Sequence, residues 1–235
     1  MSLPFKAYES GEYLVKNPTW DIEDSEWKAA EILKILNRNK LFPKKIVEVG
    51  CGAGGILVSL QNARPKVKYS GYEIASSAEK FWGKYKDRDI TFKVEDFLHA
   101  KTPHFDILLM LDVIEHLPNL FDFLTALKGR SNYYIFHIPL DLSAISVLRE
   151  MPLLKVRKKV GHIHYFTKGL ALALLDECNF DVLDWHYTGA SFSAPQVNWK
   201  TKLANLPRRL VCAINRDVGI RLLGGDTLIV LAKEK

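Results

Sequence analysis

Four glycines within six residues stand between a β-branched segment and an apolar segment, and this arrangement constrains the fold more than any other feature. The β-branched segment Lys45–Gly50 (KIVEVG) predicts a strand, the turn is Gly50–Gly55 (GCGAGG), and Ile56–Gln61 predicts the start of a helix. Glycine permits positive φ and lets a ligand approach the backbone closely. A purely structural turn would not need four glycines, so the sequence predicts a strand, a ligand-binding turn and a helix in succession.

Predicted strands and helices alternate along the rest of the chain. The further strands are Tyr69–Ile74, Ile90–Val94, Phe105–Val113, Tyr133–Ile138, Phe180–Tyr187 and Thr227–Ala232. The further helices are Asp21–Asn37, Ser76–Tyr85, Leu120–Leu127 and Gly169–Glu177. This alternation predicts an α/β domain with a doubly wound, mostly parallel sheet. The connections 140–168 and 188–226 are too long for turns and are expected to carry extra helices or function.

Residues 1–40 are expected to form an N-terminal helical segment. Apolar residues recur there at helical spacing and predict the inner face of the first helix: Trp27, Ala30, Leu33 with Ile32, and Leu36. Three aromatic residues precede this helix, namely Tyr8, Tyr13 and Trp20. They form either a lid over a ligand or a staple that holds the helix against the sheet.

The composition indicates a single domain over residues 1–235. Hydrophobic residues make up 48% of the chain, and no apolar run approaches the roughly 20 residues of a membrane helix. Three widely spaced cysteines and the lack of an apolar leader predict the reducing, cytoplasmic compartment. The net charge of +6 lies in residues 151–235, which carry 13 Lys and Arg against 7 Asp and Glu. This excess favours a solvated basic face and leaves open a polyanionic acceptor such as RNA.

An acidic residue stands near the end of each of the first four predicted strands: Glu48, Glu73, Asp96 and Asp112. Because ligands of doubly wound sheets bind at the carboxyl ends of the strands, these carboxylates are expected to face one ligand. The literal pattern GxGxxG at Gly50, Gly52 and Gly55 keeps a nicotinamide cofactor as an alternative. A pyrophosphate, however, prefers helix N–H groups without nearby acids. The sulfonium and ammonium groups of S-adenosylmethionine suit this set of carboxylates better.

Four segments resemble the successive motifs of class I S-adenosylmethionine-dependent methyltransferases: IVEVGCGAGG, YSGYEIA, VEDFL and FDILLMLDVIEHLPN. The DVIEHL stretch resembles the small-molecule branch that includes the O-methyltransferases of ubiquinone biosynthesis. The resemblance spans residues 45–138 and, less specifically, residues 164–185. It implies a Rossmann-like seven-stranded sheet of order 3-2-1-4-5-7-6 with the last strand antiparallel.

The resemblance also implies a cofactor site. In it, Glu48, Gly50, Cys51 and Gly52 hold the methionine part of S-adenosylmethionine. Glu73 holds the ribose hydroxyls, Ile74 lies against the adenine, and Asp96 and Phe97 bound the adenine. The floor near the methionine and the sulfonium consists of Leu111, Asp112 and His116.

Methyl transfer requires alignment of the acceptor and, for a hydroxyl, a base that removes its proton. The histidines near the predicted strand ends are His116, His137, His162 and His164. His164 is the first choice as the catalytic base and His116 the second, with 140–168 and 188–226 as substrate-cap insertions. His137, His162 and His164 could together bind a metal, but no acid nearby completes a set of ligands, so no metal site is predicted.

The predicted function is therefore methyl transfer from S-adenosylmethionine to a small-molecule acceptor, most simply at oxygen. The Asn/Asp-Pro-Pro-Tyr pattern of exocyclic amine methylation is missing, since Leu111–Ile114 reads LDVI, and no Pro-Cys pair offers a nucleophile for cytosine. Three alternatives stay open: methylation of RNA or another polyanion, a nicotinamide-dependent enzyme, and a module that binds the cofactor without transferring methyl.

Overall fold

A computed structural model describes residues 14–15, 17–195 and 199–235. Its seven strands form one sheet in the order β3-β2-β1-β4-β5-β7-β6. The strands are β1 (Lys45–Val49), β2 (Lys68–Glu73), β3 (Ile90–Val94), β4 (Phe105–Leu111), β5 (Ser131–Pro139), β6 (Phe180–Tyr187) and β7 (Thr227–Glu234). The predicted strand order and the Rossmann-like architecture are confirmed.

The first five strands all pair in parallel, with β1 between β2 and β4 at the centre of the sheet. Strand β7 lies between β5 and β6 and runs antiparallel to both. The carboxyl ends of β1 to β5 therefore lie at one edge of the sheet, which is where the predicted carboxylates lie.

Ten α-helices accompany the strands in the described ranges. They are α1 (Ser25–Arg38), α2 (Gly55–Ala63), α3 (Glu79–Trp82), α4 (Leu120–Ala126), α5 (Ala144–Arg149), α6 (Met151–Lys159), α7 (Lys168–Glu177), α8 (Ala190–Ser193), α9 (Trp199–Ile214) and α10 (Arg216–Leu223). The extra helices expected in the two long connections are present as α5 and α6 in the first and α8, α9 and α10 in the second. Within the part of the chain described, no helix has the length and apolar character to cross a membrane.

Strand β4 is covered on both faces, which explains why its sequence is almost continuously apolar. Leu108 and Met110 are completely buried in the core on one face of the sheet. Ile107 and Leu109 are buried in the core on the other face, together with Ile32 of α1. Such a run cannot alternate between apolar and polar residues, because neither of its sides meets water.

The predicted inner face of α1 is confirmed at Ile32 and Leu36, which are fully buried, and is wrong at Ala30. Ala30 is exposed, whereas Ala29, Ile32 and Ile35 are buried. The physical reason is Lys28, whose side chain is only 15% exposed and points inward with the apolar face. An inward lysine is invisible to a pattern that assigns every charged residue to solvent.

The predicted continuous helix over Ser76–Tyr85 is also corrected, because the structure divides it into a 3₁₀ turn, the short α3 and a second 3₁₀ turn. The indole of Trp82 explains this local winding. It donates a hydrogen bond to the carbonyl of Gly52 at 2.9 Å and stacks on Phe92 at 5.1 Å. Serine and glycine are weak helix formers, so these tertiary contacts determine the local conformation.

Candidate functional site

A cavity of about 510 Å³ opens at the carboxyl ends of the central strands. Every residue predicted to hold the cofactor lines it: Glu48, Gly50, Cys51, Gly52, Glu73, Ile74, Asp96, Phe97, Leu111, Asp112 and His116. The fold thus brings together residues that are spread over almost seventy positions of the sequence.

The glycine turn presents its backbone to this cavity. Gly50 has φ +77° and Gly52 has φ +47°, both in the left-handed region that favours glycine. A Cβ atom on Gly52 would lie 2.6 Å from the indole nitrogen of Trp20, and one on Gly50 would lie 2.6 Å from Val113. Larger residues are therefore excluded here both by conformation and by space.

Glu73 connects the end of β2 to the glycine turn. Its two carboxylate oxygens accept hydrogen bonds from the backbone N–H groups of Gly52 and Ala75, each at 3.0 Å. Burial raises the pKa of Glu73, and the backbone donors oppose that increase. Each carboxylate oxygen has a second lone-pair site, so Glu73 retains capacity for two hydroxyl donors.

Glu48 is a buried acid that lacks full hydrogen bonding. It is 1% exposed, and its Oε2 atom has no hydrogen-bond partner among the described residues. Burial above all raises the pKa of Glu48, Lys28 opposes the increase, and Glu73 and Asp112 add to it, so that the net pKa is about 8. A ligand cation next to this carboxylate would supply the interaction that the protein leaves unmade.

Lys28 and Asp112 form an ion pair that the sequence analysis did not find. The Nζ atom of Lys28 lies 2.7 Å from Asp112 Oδ2, while Asp112 Oδ1 lies 2.8 Å from His137 Nδ1. Burial would raise the pKa of Asp112, but His137 and Lys28 outweigh it and hold that pKa far below its usual range. Burial likewise opposes protonation of Lys28, yet Asp112 raises the net pKa of the lysine. Both groups are therefore charged at neutral pH.

His137, one of the four candidate bases, is occupied by this network. It is 3% exposed, and its Nε2 atom lies 2.9 Å from the hydroxyl of Thr227 on β7. The ring also packs edge-on against Trp27 of α1 at 5.8 Å. With both nitrogens engaged, His137 orients Asp112.

The side chains at the third strand end are arranged around Asp96. Its Oδ1 atom accepts a hydrogen bond from the backbone of Leu98 at 3.0 Å, and its Oδ2 atom lies 2.7 Å from His99 Nδ1. Phe97 is buried against Tyr72, whereas Ile74 is 37% exposed on the cavity wall. An apolar side chain on the wall, with a carboxylate nearby, can accommodate a flat heterocycle.

Glu115, which sequence reasoning passed over, forms a cluster with two of the candidate histidines. Its side chain is completely buried, and in the described part of the chain neither of its carboxylate oxygens has a side-chain or backbone partner at hydrogen-bond distance. Its Oε1 atom lies 3.8 Å from His116 Nε2 and 3.7 Å from His162 Nε2. Burial and then the neighbouring His162 lower the pKa of His116 to about 4, so this ring is neutral at pH 7. The signal in the sequence was the acid directly before His116.

His164, the first-choice base, is not brought to the cavity. Its Nε2 atom donates to the carbonyl of Leu117 at 2.8 Å, and the cavity wall is formed instead by His162. The backbone N–H groups of Ile163 and His164 both donate to the carbonyl of Glu115, at 2.9 and 3.1 Å. These contacts fasten the connection 140–168 to the turn after β4.

Three other parts of the chain border the cavity. Trp20 does so from the N-terminal side, where it also packs edge-on against Phe81 at 6.1 Å, while Tyr8 and Tyr13 lie outside the described residues. The connection 140–168 contributes Val156, Val160 and His162 to the wall, and the connection 188–226 contributes Ala190 and Ala194. The wall that these two connections contribute is thus apolar apart from His162.

The described basic side chains of the last third of the chain do not line this cavity. Among the described residues that line it, Lys28 is the sole Lys or Arg, and it is paired with Asp112. Arg208 donates to the carbonyl of Leu223 at 3.1 Å, and Arg209 lies over the ring of Phe192 at 5.7 Å. These two arginines therefore take part in packing.

Comparison with known families and structures agrees with this geometry. Residues 24–184, more than half of the chain, match a family described as a methyltransferase domain. The sequence matches no curated protein at a significant level.

Several solved structures share the fold. The magnesium protoporphyrin IX methyltransferase of Synechocystis PCC 6803, solved with bound SAH, has a TM-score of 0.58 and 14% identity, covering 89% of this chain and 83% of that chain. The plantazolicin methyltransferase, solved with a substrate analogue and SAH, has a TM-score of 0.57 and 16% identity, covering 99% and 91%. The mitomycin 7-O-methyltransferase has a TM-score of 0.57 and 16% identity, covering 91% and 54%. At such identities the likeness establishes the fold.

Proposed function

The chain belongs to the methyltransferase domain family, and on that premise we propose that it transfers the methyl group of S-adenosylmethionine to an oxygen of a small-molecule acceptor. The observation that carries this proposal is Glu48, a buried carboxylate that faces the cavity with one oxygen lacking a hydrogen bond. The ubiquinone-type branch indicated by the DVIEHL stretch remains a prediction.

The residues around the cavity fit S-adenosylmethionine. Glu48 would hold the ammonium group of the methionine part, and Lys28 is the cation available to its carboxylate group. Glu73 would accept hydrogen bonds from the two ribose hydroxyls, with Ile74 and Phe97 on either side of the adenine. Gly50 and Gly52 leave room where any side chain would fill the turn.

The cofactor supplies a methyl group that its positive sulfur already activates. The protein therefore contributes mainly alignment of the acceptor and exclusion of water. The buried ion pair of Lys28 and Asp112 is oriented by His137 and keeps fixed charges beside the reacting groups. Charges that are already in place need no reorganisation during the reaction.

An acceptor hydroxyl must lose its proton, and the cluster of Glu115, His116 and His162 is the group that we assign to this end of the cavity. Its members line the wall next to the apolar side chains of Val156 and Val160. We place the acceptor oxygen here and not at His164, because the Nε2 atom of His164 is bonded to a backbone carbonyl.

An apolar, hydroxylated small molecule fits this end of the cavity better than a polyanion. A nucleic acid would require basic side chains at the cavity, and Lys28, the one basic side chain among the described lining residues, is neutralised by Asp112. Steep weakening of RNA binding with salt would contradict this assignment.

Two measurements test the proposal. The melting temperature should rise with S-adenosylmethionine and with S-adenosylhomocysteine and stay unchanged with NAD; a ligand at a hundred times its Kd adds about 2.7 kcal/mol. A rise with NAD alone would overturn the proposal. Transfer of labelled methyl from S-adenosylmethionine to a panel of matched alcohols, phenols and amines then identifies the acceptor atom, and labelling of the amines alone would contradict transfer to oxygen.

A further inference from the structure

Glu115, His116 and His162 have the composition and the placement of a metal-binding triad. One carboxylate oxygen and two imidazole nitrogens lie within 4.8 Å of one another at the edge of the cavity. Two imidazoles and one carboxylate are a ligand set that divalent ions such as Zn²⁺, Mn²⁺, Fe²⁺ and Co²⁺ accept, whereas Mg²⁺ and Ca²⁺ prefer oxygen ligands alone.

The carboxylate of Glu115 indicates independently that a ligand is missing. This side chain is completely buried, yet neither of its oxygens has a hydrogen bond within the described residues. Leaving a buried carboxylate in this condition is costly unless a cation pairs with it. The Nε2 nitrogens of the two histidines lie 3.7 and 3.8 Å from its Oε1 atom, which is too far for hydrogen bonds.

His162 is held in the tautomer that a metal requires. Its Nδ1 atom lies 2.6 Å from Asp141 Oδ2, so the proton is on Nδ1 and donates to that carboxylate. The lone pair of Nε2 then faces Glu115. A carboxylate that orients a ligating histidine in this way is the usual second partner of protein metal sites.

Backbone hydrogen bonds fix the position of His162 relative to Glu115 and His116. Glu115 and His116 belong to the 3₁₀ turn after β4, whereas His162 comes from the connection 140–168. The N–H groups of Ile163 and His164 donate to the carbonyl of Glu115 and so position His162 over its side chain. Ligand bonds of about 2.1 Å place neighbouring ligand atoms roughly 3.4 Å apart, a few tenths of an ångström closer than the atoms around Glu115 are here.

We propose that Glu115, His116 and His162 bind a divalent first-row transition-metal ion, with Asp141 as the residue that positions His162. The open positions of the ion face the cavity. There the ion binds the acceptor hydroxyl and favours loss of the hydroxyl proton to water. This role rests on the proposed function, whereas binding of the ion does not.

Titration of Co²⁺ into chelator-treated protein tests the site without any assay of methyl transfer. Visible absorption bands should saturate at one equivalent, and Zn²⁺ should displace the Co²⁺. Glu115→Gln and His162→Gln should weaken Co²⁺ binding at least about tenfold, and Asp141→Asn should weaken it about 10- to 100-fold by releasing His162. No saturable bands in the wild type, or equal affinity in Glu115→Gln, would overturn the proposal.

A matched control and a second ligand make the result specific. His186 also pairs with a carboxylate, Glu31 Oε2 at 2.6 Å, but does not line the cavity, so His186→Gln should bind Co²⁺ like the wild type. Loss of binding in this variant as well would contradict the assignment. Glu115→Gln is expected to fold, because glutamine has the same shape and no carboxylate to bury, and its near-ultraviolet circular dichroism checks this.

The melting-temperature shift with S-adenosylhomocysteine separates this proposal from the proposed function. A shift in the chelator-treated protein without Co²⁺ binding overturns the metal site alone. Saturable Co²⁺ binding without that shift overturns the methyltransferase proposal and leaves the metal site supported.

Discussion

Replacement of Glu48 by glutamine removes the buried acid on which the cofactor assignment depends. In the ligand-free protein, burial raises the pKa of this carboxyl from 4.5 to about 8. At 1.36 kcal/mol per pKa unit, ionising Glu48 in the folded protein therefore costs about 5 kcal/mol more than in the unfolded chain. The isosteric Glu48→Gln variant avoids this cost because its side chain does not ionise.

The effect on stability has a definite sign and pH range. The pKa of Glu48 is higher in the folded protein than in the unfolded chain, so its protonated form stabilises the fold. This stabilisation is complete below pH 4.5 and is lost as the pH rises to about 8. Between pH 5.5 and pH 8.5, the free energy of unfolding of Glu48→Gln should therefore gain about 3 kcal/mol relative to the wild type. Urea denaturation of both ligand-free proteins at the two pH values measures this gain.

Binding of S-adenosylhomocysteine should lower the pKa of Glu48, whereas burial raises it. The ammonium group of the ligand favours ionised Glu48, so binding at pH 7 should release close to one proton from the wild type and none from Glu48→Gln at this position. Calorimetry in buffers of different ionisation enthalpy measures the release. Loss of the charged hydrogen bond should also weaken binding by about 1.5–3 kcal/mol, or roughly 10- to 100-fold.

Glu177→Gln is the matched control, since Glu177 is exposed on α7 and does not line the cavity. It should change neither the dependence of stability on pH nor the release of protons. The reasoning is refuted if the stability difference between Glu48→Gln and the wild type stays constant within about 0.5 kcal/mol over this pH range, the scatter typical of surface substitutions.

Other side chains around the cavity lead to predictions of the same kind. Glu73→Ala should abolish the increase in melting temperature with S-adenosylhomocysteine, because it removes the acceptor for the ribose hydroxyls, and an unchanged increase would exclude that role. Gly52→Ala should lower the free energy of unfolding by about 1–3 kcal/mol, since the new Cβ atom meets a left-handed φ and an indole ring, and unaltered urea denaturation would contradict this. Lys28→Met should cost about 3 kcal/mol by leaving Asp112 without its ammonium partner, whereas the exposed control Lys34→Met should cost under about 1 kcal/mol; equal costs would show that the buried pair has no special weight.

Much of the fold was predictable because its signals are local. The bounds of β3 and β6 agree with the sequence prediction, and the glycine turn and the acids at the strand ends lie where the alternation of elements places them. Local patterns leave several orders of parallel strands open, and the strand order was predicted from the resemblance to class I methyltransferases.

The parts of the site that the sequence analysis did not predict depend on contacts between distant segments. Lys28 and Asp112 are far apart in sequence, and no periodicity predicts that a lysine turns inward to meet a carboxylate after β4. His162 and His164 are two residues apart and identical in type. The backbone hydrogen bonds to Glu115 decide which of them reaches the cavity, and these are not encoded in residue type.

The position of β7 between β5 and β6 has a consequence for biosynthesis. A ribosome delivers β5 and β6 before β7, so the emerging polypeptide holds a gap one strand wide, bordered by unpaired backbone groups that could join another chain. The same strand brings Thr227 to His137, which orients Asp112. The part of the cavity around His137 and Asp112 is therefore complete only after this last strand has inserted.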